Sequence, residues 1–133
     1  MVLKGIQTAD RWQTLVPHLL PRLHEHALPF QDLHYVYALA RAEQTTLAYE
    51  MLVSMHAHAQ SLEPMLRRQW TEITIPAAQG LIAHATRNWQ NAITHLQPIL
   101  PRLEFIGGSH AQRQVFEQVY LDALWCSESR QAA

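Results

Sequence analysis

The chain is poor in the features that mark secreted and membrane proteins. Its single cysteine, Cys126, excludes an internal disulfide and fits a reducing compartment. No apolar run approaches the roughly 18 residues of a membrane span. The first twelve residues also lack a continuous apolar stretch of signal-peptide length. We therefore expect a cytoplasmic protein with no membrane partner.

Charge is also scarce, and it is balanced. Charged residues make up 16% of the chain, and the formal net charge is −1 with the histidines neutral. Because nucleic-acid-binding domains carry a basic surface, this balance argues against a nucleic-acid partner. Hydrophobic residues make up 48%, which is typical of a globular chain rather than a disordered one. The 133 residues have room for a single domain, residues 1–133.

Glycine and strand signals are rare as well. Only four glycines occur, and two of them are adjacent, Gly107 and Gly108. The best strand signal, residues 73–75, is short and stops at Pro76. Helical periodicity covers most of the remaining chain, so we expect an all-α domain of about six or seven helices.

Apolar periodicity places these helices along the chain. The predicted ranges are about Asp10–Leu23, Gln31–Ala42, Thr45–Gln60, Leu62–Thr86 with a kink or new start at Pro76, Trp89–Leu103 and His110–Cys126. Prolines 17, 21, 98 and 101 predict kinks or early ends in the first helix and in the helix from Trp89. Residues 127–133 are expected to form a frayed tail. The side chains expected to face inward include Trp12, Leu15, Leu20, Met65, Leu66 and Val115.

The two proline-interrupted helices share a sequence pattern. Residues 18–23 (HLLPRL) parallel residues 98–103 (PILPRL), and each segment is followed by a loop and a helix that contains Val-Tyr. Internal similarity of this kind is typical of stacked helical pairs. Two ordinary leucine-rich amphipathic helices are the alternative.

The core of a tetratricopeptide repeat lies between these copies. With Gly80 at the eighth place of that 34-residue pattern, Ala92 falls at the twentieth and Leu96 at the twenty-fourth. A small residue lets the two helices of a pair approach closely, and a bulky residue fills the gap beside it. The pattern predicts tetratricopeptide-like stacked helical hairpins in a right-handed superhelix.

Four blocks of sequence together resemble one family. They are residues 10–12, 29–34, 80–92 and 106–116, of which the last (IGGSHAQRQVF) is the most specific. Over about residues 10–125, the chain resembles the later part of tetratricopeptide repeat protein 38 and its bacterial relatives. Those relatives are usually longer, so a chain that starts at Met1 is expected to be a standalone version of that part. Gln114 departs from the aspartate expected there, and the resemblance implies a helical-repeat fold but no established reaction.

A binding role is the leading expectation for function. No strong catalytic constellation occurs in the sequence, which favours a non-enzymatic binding or scaffold module for a protein or peptide partner, without a cofactor. Helical-repeat arrays present a concave face that takes an extended peptide or a partner helix. Counted from Gly80, the residues expected at this groove are Thr74, Ala77, Leu81 and His84. Asp32, Tyr35, Gln112 and Arg113 are expected to join them.

The alternative function is a small-molecule or anion-binding domain, or an enzyme, at the start of the last helix. Free N–H groups and the helix dipole there could hold a carboxylate or phosphate. The residues expected to form this site are Gly108, Ser109, His110 and Arg113. Ser109 and Gln112 also have capping-box spacing, which predicts an ordinary capped helix instead.

Three smaller candidates concern metal and catalysis. His56 and His58 cannot chelate one ion together, because residues two apart on a helix point about 200° apart. His24 and His26 lie in a predicted loop, where the geometry is freer. Neither a HExxH nor a CxxC motif occurs, so we expect no metal. Asp32 and His34 could form an acid–base pair. Alternatively, the Asp32 carboxylate stabilises the helix start by its interaction with the helix dipole. Cys126 is expected to pack as a small hydrophobic residue.

The expected oligomeric state depends on the helical repeats that the longer relatives have and this chain lacks. Helical-repeat arrays leave apolar end faces that require caps. Because the chain lacks the repeats that precede this region in the longer relatives, we expect a homodimer that buries the exposed end.

Overall fold

The computed structural model describes residues 13–26 and 28–132. Within these ranges the chain forms helices and turns with no strand, which confirms the all-α prediction. The α-helices are α1 Val16–Leu19, α2 Pro29–Arg41, α3 Thr45–Gln60, α4 Pro64–Gln69, α5 Ile75–Ala85, α6 Trp89–Leu96 and α7 His110–Ala132. The predicted helix start at Asp10 and the predicted inward position of Trp12 lie outside the described residues.

The prolines end two helices early, as predicted. Helix α1 continues as a short 3-10 helix, Leu20–Arg22, and a longer one, Leu100–Ile106, follows α6 after a turn. Each 3-10 helix has a proline in its first turn. Backbone N–H groups at that position have no acceptor within the helix, so proline costs no hydrogen bond there. The two similar sequence segments therefore share 3-10 geometry over their Leu-Pro-Arg residues, 20–22 and 100–102.

The first helix buries less than its apolar stripe predicts. Leu19 and Leu23 are buried, whereas Leu15 and Leu20 are exposed. Because the helix tightens to 3-10 geometry at Leu20, residues four apart no longer share one face.

Two helical hairpins are closed by the same turn. The turns place Glu43 (φ 63°) and Arg87 (φ 64°) in the left-handed region. In each turn the next N–H bonds to a carbonyl five residues back, Gln44 to Leu39 at 2.9 Å and Asn88 to Ala83 at 2.8 Å. This is the Schellman arrangement of a helix end, here with a charged residue where glycine is usual. It folds α3 back on α2 and α6 back on α5.

Helices α4 and α5 are joined without a break by a π-helical turn, Trp70–Thr74. The hydrogen bonds of this turn span five residues rather than four, because the Ile75 N–H donates to the Trp70 carbonyl. Pro76 follows directly, and the wider turn accommodates a ring that would clash in a regular α-helix. The predicted inward positions of Met65 and Leu66 are wrong, because α4 lies at the surface and burial begins at Trp70.

Helix α5 is the central helix, and it packs against α2, α3 and α6. A Cβ atom added to Gly80 would lie 2.6 Å from Leu96 Cγ, so the missing side chain allows α5 and α6 to approach closely. Ala92 and Leu96 are fully buried beside it. The local packing expected around Gly80 is therefore present.

The last helix covers one side of this core. Phe116, Val119 and Ala123 are buried, whereas Val115, predicted to face inward, is 49% exposed. Helix α7 extends to Ala132, six residues beyond its predicted end at Cys126. Across the described ranges, no helix is both long and apolar enough to cross a membrane.

Candidate functional sites

A cleft of about 740 Å³ lies between α2, the turn before α7 and the first part of α7. We call it the α2–α7 cleft. Its lining consists of Leu28, Pro29, Phe30, Gln31, Leu33, His34, Tyr35, Tyr37, Leu81, Ile106, Gly107, Gly108, Gln112, Val115 and Phe116. Leu28 and Val115 are exposed at its rim.

The lining of the α2–α7 cleft is largely apolar and carries no Asp, Glu, Lys or Arg. The cleft has few polar groups, and hydrogen bonds hold the Tyr35 hydroxyl in place. The Tyr35 hydroxyl accepts hydrogen bonds from Gln31 Nε2 at 2.7 Å and from Arg22 Nη1 at 3.1 Å. A mostly apolar cavity with a few fixed polar groups is the usual form of a binding site.

The residues predicted to line a groove fall into two groups. Tyr35, Leu81 and Gln112 do line the α2–α7 cleft. The expectation that the others share an open face is wrong: Asp32, Thr74, Ala77 and His84 are buried, and Arg113 lies at a separate cavity. Because α5 is covered by helices on several sides, its His84 has no open face to line. Thr74, in the π-helical turn just before α5, is also buried.

The start of α7 is a formed capping box. The Ser109 N–H donates to Gln112 Oε1 at 2.7 Å, and the Gln112 N–H donates to Ser109 Oγ at 3.1 Å. These bonds use two of the backbone donors that an anion would need. Gly108 lies against the ring of Phe30, although Gly107, Gly108 and Ser109 are exposed.

The two cationic candidates at this helix start face carboxylates. His110 and Arg113 line a cavity of about 210 Å³ together with Glu104 and Glu117. Acidic neighbours oppose the binding of an anion. The capped turn and these two glutamates both disfavour the predicted anion site.

A buried row of three polar side chains connects α2, α5 and α7. The Tyr37 hydroxyl donates to His84 Nδ1 at 3.0 Å, and His84 Nε2 donates to Asp122 Oδ2 at 2.8 Å. Trp89 packs edge-on against the His84 ring, with centroids 5.4 Å apart. Burial lowers the pKa of His84, although Asp122 acts in the opposite direction. Burial also raises the pKa of Tyr37, so both groups are neutral donors and acceptors at neutral pH.

A second row joins the loop before α2 to α3. His26 Nδ1 lies 2.5 Å from Asp32 Oδ2, and His26 Nε2 lies 2.5 Å from Ser54 Oγ. His24 Nδ1 contacts the same Ser54 oxygen at 2.7 Å. The predicted pairing of Asp32 with His34 is wrong, because those residues are two apart on α2 and their side chains diverge.

The sequence analysis predicts neither row of polar side chains, although helix geometry alone excludes the pairing of Asp32 with His34. The divergence of residues two apart, which excludes a shared ion for His56 and His58, applies equally to Asp32 and His34. No pattern in the sequence links Ser54 to His26. Among the residues that the structure describes, no group of three or more His, Cys, Asp or Glu side chains could hold a metal ion.

The comparisons assign no family to the chain. No protein-family model matches it, and no solved structure gives a significant match. The resemblance to the tetratricopeptide repeat protein 38 family therefore stays a prediction from the four sequence blocks. Functional conclusions depend on the geometry of the two rows and of the α2–α7 cleft.

Acidification is expected to destabilise the fold through its buried histidines. Burial lowers the pKa of His84 and of His58. Since imidazole in an unfolded chain titrates near pH 6.5, the unfolded state binds more protons below that pH. The stability these groups contribute is therefore complete above about pH 6.5 and is lost as the pH falls toward their folded-state pKa values. The groups that face His84 are Tyr37, Asp122 and the charge of Arg41.

Thermal unfolding followed by circular dichroism at pH 7.5, 6.5 and 5.5 measures this effect. We expect the Tm to fall between pH 6.5 and pH 5.5. His84→Gln has no titrating ring, so its Tm should depend less on pH over this range. A wild-type Tm that rises on acidification would contradict the assignment.

Proposed function

We propose that the protein is a binding module that holds an uncharged, largely apolar segment of a protein partner in the α2–α7 cleft. The observation that carries this function is the cleft itself, with its apolar lining, its lack of charged side chains and its exposed rim residues Leu28 and Val115. Exposed apolar side chains that are continuous with an apolar cleft are typical of protein-binding and ligand-binding grooves.

We also propose that the helices form a tetratricopeptide-like stack in a right-handed superhelix. The turns at Glu43 and Arg87 have the same conformation and lie 44 residues apart in the chain. Their similarity supports a repeated hairpin. The close approach of α5 and α6 at Gly80 supports the same arrangement. A relation to the tetratricopeptide repeat protein 38 family is consistent with such a stack.

An uncharged small molecule is the second candidate occupant. The volume of about 740 Å³ falls within the range of small-molecule sites, which is roughly 300–1,000 Å³. An anion is disfavoured here, because no cationic side chain lines the cleft. The apolar rim favours the peptide, since a small ligand would leave Leu28 and Val115 uncovered.

Selection from a displayed library of random short peptides tests this function. We expect the selected peptides to be rich in aromatic and aliphatic residues. Val115→Lys should weaken their binding about tenfold or more, because a charge placed against an apolar segment costs at least 1–2 kcal/mol.

The matched control is Leu121→Lys, on the same helix. Leu121 is 53% exposed, close to the 49% of Val115, but it does not line the cleft. Leu121→Lys should therefore leave peptide affinity unchanged. Failure to select any peptide, or equal binding to both variants, would contradict the proposed function; binding of uncharged compounds alone would support the small-molecule alternative.

A further inference from the structure

Ser54, His26 and Asp32 have the connectivity of a nucleophile, a base and an orienting carboxylate. Asp32 and His26 are 2% and 5% exposed, and Ser54 is half-buried on α3. The two heavy-atom distances of 2.5 Å on either side of the imidazole bring all three groups within hydrogen-bond reach. Nucleophilic serines are recognised by this geometry rather than by their positions in a sequence.

One arrangement of protons satisfies all three contacts and leaves a base facing Ser54. The Asp32 carboxylate accepts, so His26 Nδ1 carries the proton and the Nε2 lone pair faces the Ser54 hydroxyl. Because a serine hydroxyl has one proton to donate, His24 must in turn donate from Nδ1 to Ser54 Oγ. The row therefore points the base of His26 at the proton that a nucleophilic serine must lose.

The backbone at His26 holds the ring in this position at a cost. Its φ of 50° lies in the left-handed region, which non-glycine residues seldom adopt. Side-chain bonds on both ring nitrogens offset this cost. Strained residues of this kind cluster at functional sites.

A pocket of about 370 Å³ opens beside the His26 ring. We call it the His26 pocket. It is lined by His26, Pro29, His58, Leu62, Leu66, Gln69, Trp70, Phe105 and Ile106. Phe105 and Leu66 are exposed, so the apolar part of the pocket is open to solvent. Ser54 does not itself line the pocket, and the His26 ring, whose Nε2 lies 2.5 Å from Ser54 Oγ, joins the pocket to the hydroxyl. The apolar lining fits a short apolar chain.

We propose that Ser54 is a nucleophile that accepts the acyl group of small activated esters, with the acyl chain in the His26 pocket. Ser54 Oγ forms a bond to the ester carbonyl carbon while its proton moves to His26 Nε2. The bond from that carbon to the leaving oxygen then breaks, and the leaving oxygen takes the proton from Nε2. Water attacks acyl-Ser54 by the same route and releases the carboxylic acid, with no oxidant or cofactor consumed.

The surroundings of Ser54 limit the substrate to esters with good leaving groups. Ser54 lies in the interior of α3, where the neighbouring backbone N–H groups are already bonded within the helix. His24 is the side-chain donor beside the reacting oxygen. A missing oxyanion donor costs about 10²–10³ in rate, which an activated ester tolerates and a peptide bond does not. We therefore expect slow turnover and an acyl-Ser54 that accumulates.

The site is distinct from the α2–α7 cleft, although Pro29 and Ile106 line both cavities. The expectation of a non-enzymatic module came from the lack of a catalytic constellation in the sequence. The folded chain forms one from residues 6 and 28 positions apart. Acyl transfer at Ser54 does not depend on peptide binding at the cleft, so each proposal can fail alone.

Two probes test the nucleophile on the full chain. A fluorophosphonate reports on serine reactivity, because Ser54 Oγ replaces fluoride on phosphorus and the adduct is stable. p-Nitrophenyl butyrate reports on acyl transfer, through a burst of p-nitrophenolate and an acyl adduct located by peptide mass spectrometry. We expect both labels on Ser54.

The variants separate chemistry from folding. Ser54→Ala should abolish both labels, and His26→Gln should slow labelling by about 10²–10⁴. Ser54→Cys keeps a nucleophilic atom in place and should still accept the acyl group. Ser61→Ala, which removes an exposed hydroxyl just after α3, is the matched control and should label like wild type.

Asp32 acts as a positioning residue, and its test is rescue by the conservative variant. Asp32→Asn should lower the acylation rate, because an amide does not hold the His26 tautomer as a carboxylate does, and Asp32→Glu should restore part of that rate. A carboxylate that only supports the fold would leave the acylation rate of the folded Asp32→Asn variant unchanged. Absence of label in folded wild type, or equal labelling of Ser54→Ala, would overturn the proposal.

Discussion

Replacement of His84 by leucine should lower the free energy of unfolding by about 3 kcal/mol, because it removes the shared partner of two buried polar groups. His84 is 2% exposed and bonds Tyr37 on one ring nitrogen and Asp122 on the other. Leucine has a similar size, so the loss reports on hydrogen bonds rather than on a cavity. Urea unfolding followed by circular dichroism measures the change.

Two further variants calibrate that loss. Tyr37→Phe removes one hydroxyl and should cost only about 1 kcal/mol, the usual value of one neutral hydrogen bond. His95→Leu changes a partly exposed histidine of α6, whose Nδ1 lies 2.8 Å from the Asn91 carbonyl, and should stay within about 0.5 kcal/mol of wild type. If His84→Leu cost no more than His95→Leu, the buried row would contribute little to stability.

Local sequence signals predict the helices because helix formation depends on neighbours in the chain. Thr45–Gln60 was predicted at the bounds observed for α3, and α2 begins only two residues before its predicted start. The capping box of Ser109 and Gln112 formed as its spacing predicts. The left-handed turns at Glu43 and Arg87 carry no glycine, so no local signal marks their conformation.

The candidate sites could not be predicted in the same way, because they depend on contacts between distant residues. His84 meets Asp122 across 38 positions, and His26 meets Ser54 across 28. Repeat positions counted from Gly80 also assume that the first helix of a pair is open on one side. Helix α5 is instead the centre of a small domain, so its Leu81 reaches the α2–α7 cleft while its His84 is enclosed.

Substitution of Gly108 by alanine should destabilise the protein by about 2–4 kcal/mol, because two costs add at one position. Its φ of 84° lies in the left-handed region, where a side chain costs about 1–2 kcal/mol. A Cβ atom there would also lie 2.6 Å from Phe30 Cε2. Phe30 packs edge-on against Phe116, with ring centroids 5.7 Å apart, so moving it costs about 1–2 kcal/mol more.

The adjacent glycine is a matched control for this turn. Gly107 has a φ of 87°, but no described atom lies within 4 Å of the Cβ that alanine would add. Gly107→Ala should therefore cost only the backbone share, about 1–3 kcal/mol, because a φ of 87° with a ψ of −150° is adopted almost only by glycine. Urea unfolding of both variants isolates the contact with Phe30 as the difference between them. Since Phe30 lines the α2–α7 cleft, Gly108→Ala should also weaken peptide binding; equal stability losses in the two variants would mean that the turn is stabilised by its backbone conformation alone.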